Sequence, residues 1–443
     1  MAGGTVLVVG GGLAGITAAL GLADAGRSVT LVEARPRLGG LTHSFRRSSR
    51  AGDLWVDNGQ HVFLRCCTSY RRLLDRLGVS DLVSLQPRMD IPVRSGASPR
   101  VARLRRSALP APLHLAGALA AYRWLPPAAR VSAARAALAL GSVDPDDPAV
   151  DEESFGRWLA RRGQGPRAVE ALWDLVGVAT LNAPAERASL ALAATVFQLG
   201  LLESNDAGDI GWVRVPLQRL HGDAAARALA AAGVRVELRT RVGRLPTTYD
   251  DVVVATGPAV SEDLLPGDAL DLAPGWSARL GSSPIVNVHV VLDSAVLDEP
   301  FVAAVDSPLQ WVFDRTAGSG LDPATGQYLA LSLSAAEELL GRSVAELREW
   351  TLPELGRLLP RSRSARVLDF FVTREPQATF RAAPGSRKWR PATATRLPGL
   401  HLAGAWTDTG WPATMEGAVR SGEAAVASVL GRRTERTALG ATA

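Results

Sequence analysis

Lysine is almost missing from this chain: Lys388 stands alone among 49 lysines and arginines. A skew of this kind, beside abundant alanine, glycine and proline, reflects coding bias rather than function, and it leaves almost no site with a side-chain amine. Cysteine is as scarce. Cys66 and Cys67 are the only two and are adjacent, which excludes a disulfide framework, and they read as reduced residues. Long hydrophobic runs are also absent. No stretch of about eighteen uncharged apolar residues occurs, so no transmembrane helix is expected. The N-terminus enters a strand without a basic segment and apolar core before it, so no signal peptide is expected and the expected compartment is the cytoplasm. Six histidines (His43, His61, His114, His221, His289 and His401) are scattered among unlike surroundings, and no metal site is expected. The net charge is only +5, and no aromatic stacking module accompanies it, which argues against nucleic acid as a partner. The cluster Arg100 to Arg106 is suited to anionic headgroups, so peripheral contact with the inner face of the cell membrane is an expectation.

What is present begins at the N-terminus. An apolar strand, Thr5 to Val9, leads into Gly10-Gly11-Gly12-Leu13-Ala14-Gly15, a helix of small residues, a second strand from Ser28 to Val32, and Glu33. This is the dinucleotide-binding fingerprint in its full context: glycines for a tight turn, for backbone approach to a pyrophosphate and for helix-on-strand packing. The pyrophosphate is expected on the helix N-terminus, where unpaired amides favour an anion. Glu33 stands where an acid accepts from ribose hydroxyls and repels a 2'-phosphate, which disfavours NADP; the loop alone serves NAD or FAD equally well.

At 443 residues the chain is too long for one ordinary core. Ala34 to Gly40 continues the nucleotide site, Leu54 to Phe63 reads as a strand and turn, and a helix follows through Tyr70 to Leu77. From Leu109 to Leu202, Ala, Leu and Arg recur at helical spacing, broken at Pro126-Pro127, at Asp144 to Pro148 and at Gly163 to Pro166; these helices are expected to form a cap. Ala224 to Ala232 reads as a helix, and Val234 to Leu238 and Asp251 to Gly257 as strands. From Ile285 to about Thr373 alternating segments predict an antiparallel sheet, interrupted by one helix from Ser343 to Leu359. Gly399 to Gly404 is a buried strand, Thr414 to Leu430 a long helix, and the tail from Arg432 is expected to be disordered. The expectation is an α/β fold with a discontinuous nucleotide domain (1–95, 206–265 and 385–431) and an inserted α+β substrate domain (96–205 and 266–384).

Five separated segments carry a family resemblance: the glycine loop with Glu33, Arg37-Leu38-Gly39-Gly40, Val242 after a strand, Ala255-Thr256-Gly257, and the Gly404 strand before the C-terminal helix. Together they resemble the FAD-dependent amine oxidase and phytoene desaturase superfamily over nearly the whole chain. The resemblance implies a Rossmann-type FAD-binding domain of the GR2-like flavoprotein kind, FAD as cofactor, and a flavin ring at the domain interface. The implied cofactor residues are Gly10, Gly12, Leu13, Ala14, Gly15, Glu33, Ala34, Arg35, Gly39, Gly40, Leu41, Gly59, Gln60, Val242, Gly257, Gly404 and Met415. Within the superfamily, Asp57 to Leu64 and Leu402 to Ala418 are similar to one branch, the squalene-associated hydroxysqualene dehydroxylases. That branch implies reduction of an allylic alcohol to squalene, in hopanoid or sterol precursor synthesis, alongside neighbouring squalene-pathway enzymes. Two departures are present: Leu41 replaces the arginine that usually follows the second glycine, and Ala405 an acid beside the C-terminal glycine.

Hydroxide is a poor leaving group, so the implied reaction needs a proton donor, an oriented substrate and a dry site, with hydride from the cofactor. His61 is the first candidate acid, because an imidazole exchanges a proton near neutrality. Asp57, four residues earlier, is placed to hold that proton or to act itself, or else both residues only support a turn under the flavin. Asp408 is a further candidate. Trp406 and Trp411 are candidates to contact substrate, with ordinary core packing the alternative. Leu190 to Leu199 is read as tunnel wall or as core, and Pro112 to Leu140 as a membrane-surface segment or a packed hairpin. An external electron donor is required, and reduced nicotinamide is one candidate, without a second fingerprint to bind it. The rivals are a carotenoid-type desaturase, a flavin amine oxidase, disfavoured because the Ile285 to Thr373 sheet has no lysine, and a non-catalytic prenyl-binding protein, disfavoured by the intact glycine loop.

Overall fold

The computed structural model describes residues 4–431, and the tail expected from Arg432 lies outside the described residues. A five-stranded parallel sheet is assembled from distant parts of the chain, in the order Arg235–Leu238, Ser28–Glu33, Thr5–Val9, Asp251–Val254, Leu400–Leu402. Parallel strands covered on both faces must be apolar throughout, and the first strand shows why. Val6 and Val8 point into a core shared with the helices Leu13–Asp24, Ala224–Ala231 and Met415–Val429. Leu7 and Val9 point into a second core shared with Phe155, Trp158 and Phe197 of the helical layer. The helices on the first face touch through small residues. A Cβ on Gly422 would meet the Ala14 carbonyl oxygen at 2.4 Å and the Thr17 Cβ at 2.7 Å, which accounts for the small-residue composition of both helices.

A seven-stranded sheet faces this half of the molecule, in the order Val367–Phe380, Ser282–Leu292, Gln327–Ser334, Trp311–Asp314, Phe301–Val305, Asp90–Ser95, Ser98–Arg105. The strands between 282 and 380 pair antiparallel with one another, as expected, and the sheet as a whole is mixed because Phe301–Val305 runs parallel to Asp90–Ser95. One expectation is corrected. The expected boundary between residues 95 and 96 falls inside a hairpin whose two strands both belong here, so the change of layer comes ahead of Asp90. Pro92 and the arginines at 94, 100, 103 and 105 mask the alternation of Ile91, Val93, Ala102 and Leu104, all four of them buried. In Ser282–Leu292 one set of alternate side chains, Val286, Val288, Val290 and Leu292, packs under the helix Val344–Leu358. Asn287 and His289 take the opposite face.

The region 113–202 is helical, with Pro127–Leu140, Phe155–Arg161, Asp174–Leu181 and Leu190–Phe197 as its longer α-helices. Helix Pro127–Leu140 buries Ala133, Ala136 and Leu140 and leaves Val131 and Leu138 exposed. No described helix is long and apolar enough to cross a membrane. A small antiparallel sheet of Val62–Leu64, Ile210–Val213 and Val83–Leu85 supports the turn after Asp57.

Candidate active site

One cavity of about 1370 Å³ runs from the glycine loop, past the turns at 39–43 and 58–61, to the space between the helical layer and the seven-stranded sheet. A site for one small molecule is typically about 300–1,000 Å³, so this one exceeds what a single small ligand needs. Nineteen of the residues singled out from the sequence line it: Gly10, Gly12, Leu13, Ala14, Glu33, Ala34, Arg35, Gly39, Gly40, Leu41, Gly59, Gln60, His61, Val242, Gly257, Gly404, Trp406, Trp411 and Met415. Gly15, Asp57 and Asp408 do not.

At the glycine end the backbone makes the site. Gly10 turns with φ +114°, and its missing Cβ leaves room for the Ala255 carbonyl. At Gly15 a Cβ would lie 1.9 Å from the Gly10 oxygen, so this glycine serves helix-on-turn packing and leaves the ligand to others. Gly12 differs: the nearest atom to its notional Cβ is the Gly40 Cα at 3.8 Å, and the space beside it is open cavity. Gly12 is also the N-cap of helix Leu13–Asp24 and provides no capping side chain, so the first amides of a twelve-residue helix remain available to an anion. The Glu33 carboxylate accepts from the amides of Gly11 at 2.7 Å and Arg35 at 2.6 Å, which fixes it beside the loop with lone pairs to spare. These residues fit the ADP half of FAD. Arg37, part of the Ala34 to Gly40 segment, also lines the cavity and donates to the Gly40 carbonyl at 3.3 Å. It brings a cation to the region where Leu41 has none.

The middle of the cavity revises the catalytic expectations. The Asp57 carboxylate is buried and fully engaged: Oδ1 accepts from Ser44 Oγ at 2.6 Å and the Leu217 amide at 3.0 Å, and Oδ2 from Arg315 Nη2 at 2.6 Å. Arg315 donates in turn to the Val213 carbonyl at 2.7 Å. With both carboxylate oxygens engaged inside the protein and none facing the cavity, Asp57 is a structural pin and the role of acid is withdrawn. Asp408 is likewise withdrawn, because it faces Arg387 at 3.5 Å away from the cavity, and its amide donates to the Pro391 carbonyl. Arg390, a residue not found from sequence, is buried and donates to the carbonyls of Trp406 at 3.3 Å, Thr407 at 2.7 Å and Trp411 at 2.7 Å. Burial pushes its pKa down to about 10, and it holds the loop after Gly404 in place. Trp406 is anchored on the nucleotide sheet, with Nε1 donating to the Thr256 carbonyl at 2.9 Å and its ring 5.3 Å from that of Trp276. Trp411 lies under the guanidinium of Arg420.

His61 does line the cavity. Its Nδ1 lies 2.9 Å from the Gly59 carbonyl oxygen, which assigns the proton of the neutral ring to Nδ1 and leaves Nε2 an acceptor. Burial lowers its pKa, while the Gly59 carbonyl and the Asp57 charge pull the other way. Below the same turn, His289 is fully buried between Tyr328 and Thr373, and burial brings its pKa down to about 3.

Beyond His61 the wall turns apolar, with Phe63, Ile91, Val176, Leu199, Phe301 and Trp311 among its members. Of the Leu190 to Leu199 stripe only Thr195, Val196 and Leu199 reach the cavity. Leu190, Leu192, Ala193, Ala194 and Phe197 are core, so the stripe divides between the two readings. No lysine lines the site: Lys388 is on the surface, 3.3 Å from Glu152.

A parallel nucleotide sheet with an open glycine cradle, opposed by a mixed sheet under one long cavity, defines the class of flavin-dependent oxidoreductases. A family model described as flavin containing amine oxidoreductase matches residues 13–430, and the chain belongs to that family. It is 28% identical over 460 residues to the hydroxysqualene dehydroxylase of Rhodopseudomonas palustris, covering 96% of this chain and 98% of that one. It is 26% identical over 457 residues to the 15-cis-phytoene desaturase of Narcissus pseudonarcissus, covering 96% of this chain and 79% of that one. Among solved structures, cyclohexylamine oxidase from Brevibacterium oxydans shares the fold, with a TM-score of 0.70, 18% identity and coverage of 97% and 99%. The cofactor is FAD, and the protein is an FAD-dependent oxidoreductase.

Proposed function

We propose that this chain reduces hydroxysqualene to squalene. The observation that carries the reading is the division of the cavity: a glycine-built nucleotide end, a polar collar at Asn58 to His61, and an apolar extension suited to an isoprenoid chain. The similarity to the Rhodopseudomonas dehydroxylase along nearly the full length of both chains supports it. The lack of lysine in the cavity wall speaks against amine oxidation.

Reduced FAD, when bound, supplies a hydride. The protein's residues supply the rest. The apolar wall aligns the chain and excludes water, so that charge developing at the allylic carbon is not quenched by solvent. His61 handles the proton: its pKa is lowered by burial, so the ring is mostly neutral at neutral pH, and the imidazolium formed as pH falls is a stronger acid than an exposed one. Its proton leaves with the hydroxyl as water, the C–O bond breaks and a C–H bond forms. The physiological electron donor in this reading is external, with reduced nicotinamide as a candidate.

A second reading, desaturation of a carotenoid-type hydrocarbon, is favoured by the same histidine, because a neutral Nε2 is suited to taking a proton. The two readings predict opposite pH profiles. Dehydroxylation rises as pH falls below the ordinary histidine range, and desaturation declines there. The test is to offer hydroxysqualene to the reduced holoenzyme and phytoene to the oxidised one, and to identify products across that range. Squalene as product supports the first reading; a desaturated hydrocarbon alone overturns it.

A further inference from the structure

Three of the four arginines in the cluster expected to meet lipid headgroups are engaged within the protein. Arg103 pairs with Asp90 at 3.1 Å and Glu299 at 3.2 Å, Arg105 faces Asp90 at 3.6 Å, and Arg106 holds the buried Asp209 at 2.6 Å. A different kind of surface follows the cluster. The Ser107 amide donates to the His114 carbonyl at 2.7 Å and the Ser107 hydroxyl to the same oxygen at 3.1 Å, which closes residues 107–114 into a loop. Its tip, Ala108-Leu109-Pro110-Ala111-Pro112-Leu113, has no polar side chain. Leu109 is 52% exposed and Leu113 57%, and Ala108, Pro110 and Pro112 are exposed beside them. A single exposed leucine is ordinary, but two on one short tip without a polar neighbour mark an interaction site.

The backbone, the charge and the position of the tip say what covers it. Pro110 and Pro112 have no amide hydrogen, and the Leu109 amide donates to Ser107 Oγ at 3.4 Å. The carbonyls of Leu109, Pro110 and Pro112 accept from Asn205 Nδ2, the His114 amide and the Leu115 amide. A tip whose backbone is satisfied from within suits lipid, which offers no hydrogen bonds, better than a protein partner, which would. Arg106 donates to the carbonyls of Met89 at 3.2 Å and Pro87 at 3.0 Å, which sets Arg88 at the base of the loop, exposed and without a partner among the described residues. Between Asp90 and Asp144 the chain has eight arginines and no acid. Beside the loop, Asp206 and Asp209 are both paired with Arg65, which leaves Glu203 as the one free acid of that segment. The same segment supplies Leu201, Gly208 and Ile210 to the cavity wall, and Leu115, directly after the loop, packs in one cluster with Leu201, Ile210, Ile91 and Phe301. The tip therefore stands outside the apolar end of the cavity.

We propose that the tip of loop 107–114 inserts into the headgroup boundary of an anionic lipid bilayer, with Arg88 against the lipid phosphates, and so sets the apolar end of the cavity at the membrane. Under the isoprenoid reading, substrate and product exchange directly with the bilayer; the binding itself does not depend on that reading.

The test sediments the FAD holoenzyme with vesicles of phosphatidylglycerol and phosphatidylcholine in equal parts, and with vesicles of phosphatidylcholine alone. The wild type is expected to partition onto the mixed vesicles, and about fivefold or more weakly onto the neutral ones. Leu109→Asp combined with Leu113→Asp is expected to lower partition onto the mixed vesicles by about ten- to a hundredfold, with flavin content and unfolding temperature unchanged. Leu109→Ser with Leu113→Ser reads the same loss should the aspartates disturb the loop. Arg88→Ala is expected to weaken binding to the mixed vesicles about fivefold and to leave the neutral ones unaffected. Full binding by both double variants overturns the proposal, and so does a wild type that stays in the supernatant. A wild-type dimer that the double variants dissociate overturns it too, by assigning the tip to a second copy of the chain. None of these outcomes bears on the reaction, which the product assay tests separately.

Discussion

The two ends of the cavity are built by different means. At the nucleotide end the site is backbone: an uncapped helix N-terminus, a turn at Gly10, an open face at Gly12 and one carboxylate that grips the loop. At the other end it is side chain, drawn from a turn at 58–61, from strands of the mixed sheet and from helices of the insert. A backbone site recognises what every dinucleotide shares. A side-chain site depends on the particular residues that line it, so it is specific to its substrate. The family relationship therefore settles the cofactor and leaves the substrate to the collar.

The sharpest way to break this comparison is within the glycine loop. Gly12→Val is expected to abolish FAD binding while leaving the thermal unfolding of the FAD-free protein nearly unchanged, because its side chain enters open cavity. Gly15→Ala is expected to damage the fold itself, because the new Cβ meets the Gly10 oxygen. Flavin absorbance and calorimetry on the two variants separate ligand cradle from packing. If both variants lose stability equally, Gly12 is not a cradle.

Asp57→Ala comes next. It leaves Arg315 buried without its counter-ion, and a loss of about 3–5 kcal/mol in denaturant unfolding is expected. A variant with full stability and no activity would instead return Asp57 to the chemistry. His61→Ala is expected to keep FAD and stability and to lower turnover by about 10²–10⁴-fold, the range for a positioned proton donor. Unchanged turnover would remove His61 from the mechanism.

The smallest effect is in the acid limb of stability. Burial brings the pKa of His221 and of His289 down to about 3 and that of His43 to about 4, below the ordinary histidine value. The unfolded chain therefore binds more protons than the native one between these values and about 6.5, so stability is fully present above that range and drains as pH falls through it. His289→Gln, which keeps a polar side chain between Tyr328 and Thr373, should make the decline less steep. An unaltered slope would mean that His289 does not contribute.

The contrast between the ends also explains how far the sequence could be read. The fingerprint from Thr5 to Glu33 is local: strand, glycine turn, helix, second strand and acid follow one another, so its pattern is visible in one stretch of chain. The pin between Asp57 and Arg315 joins residues 258 positions apart, and nothing in either neighbourhood announces it. An aspartate beside a histidine suggested proton chemistry, and tertiary pairing decided otherwise. Arg390 is hidden for the same reason, since its partners are backbone carbonyls of a loop that the fold brings to it. The hairpin at 90–105 escaped because proline and arginine interrupted its alternation. Asn287, which lines the cavity, had a signal of its own, a polar residue among Ile285, Val286, Val288 and Val290 in a strand otherwise built for burial.

The most direct measurement of the central claim is a single turnover without oxygen. The FAD holoenzyme is photoreduced, mixed with hydroxysqualene, and followed both by flavin absorbance and by extraction of the lipid. Reoxidation of the flavin is expected in step with squalene formation, at one squalene per flavin. Flavin that stays reduced while hydroxysqualene is recovered intact would contradict it.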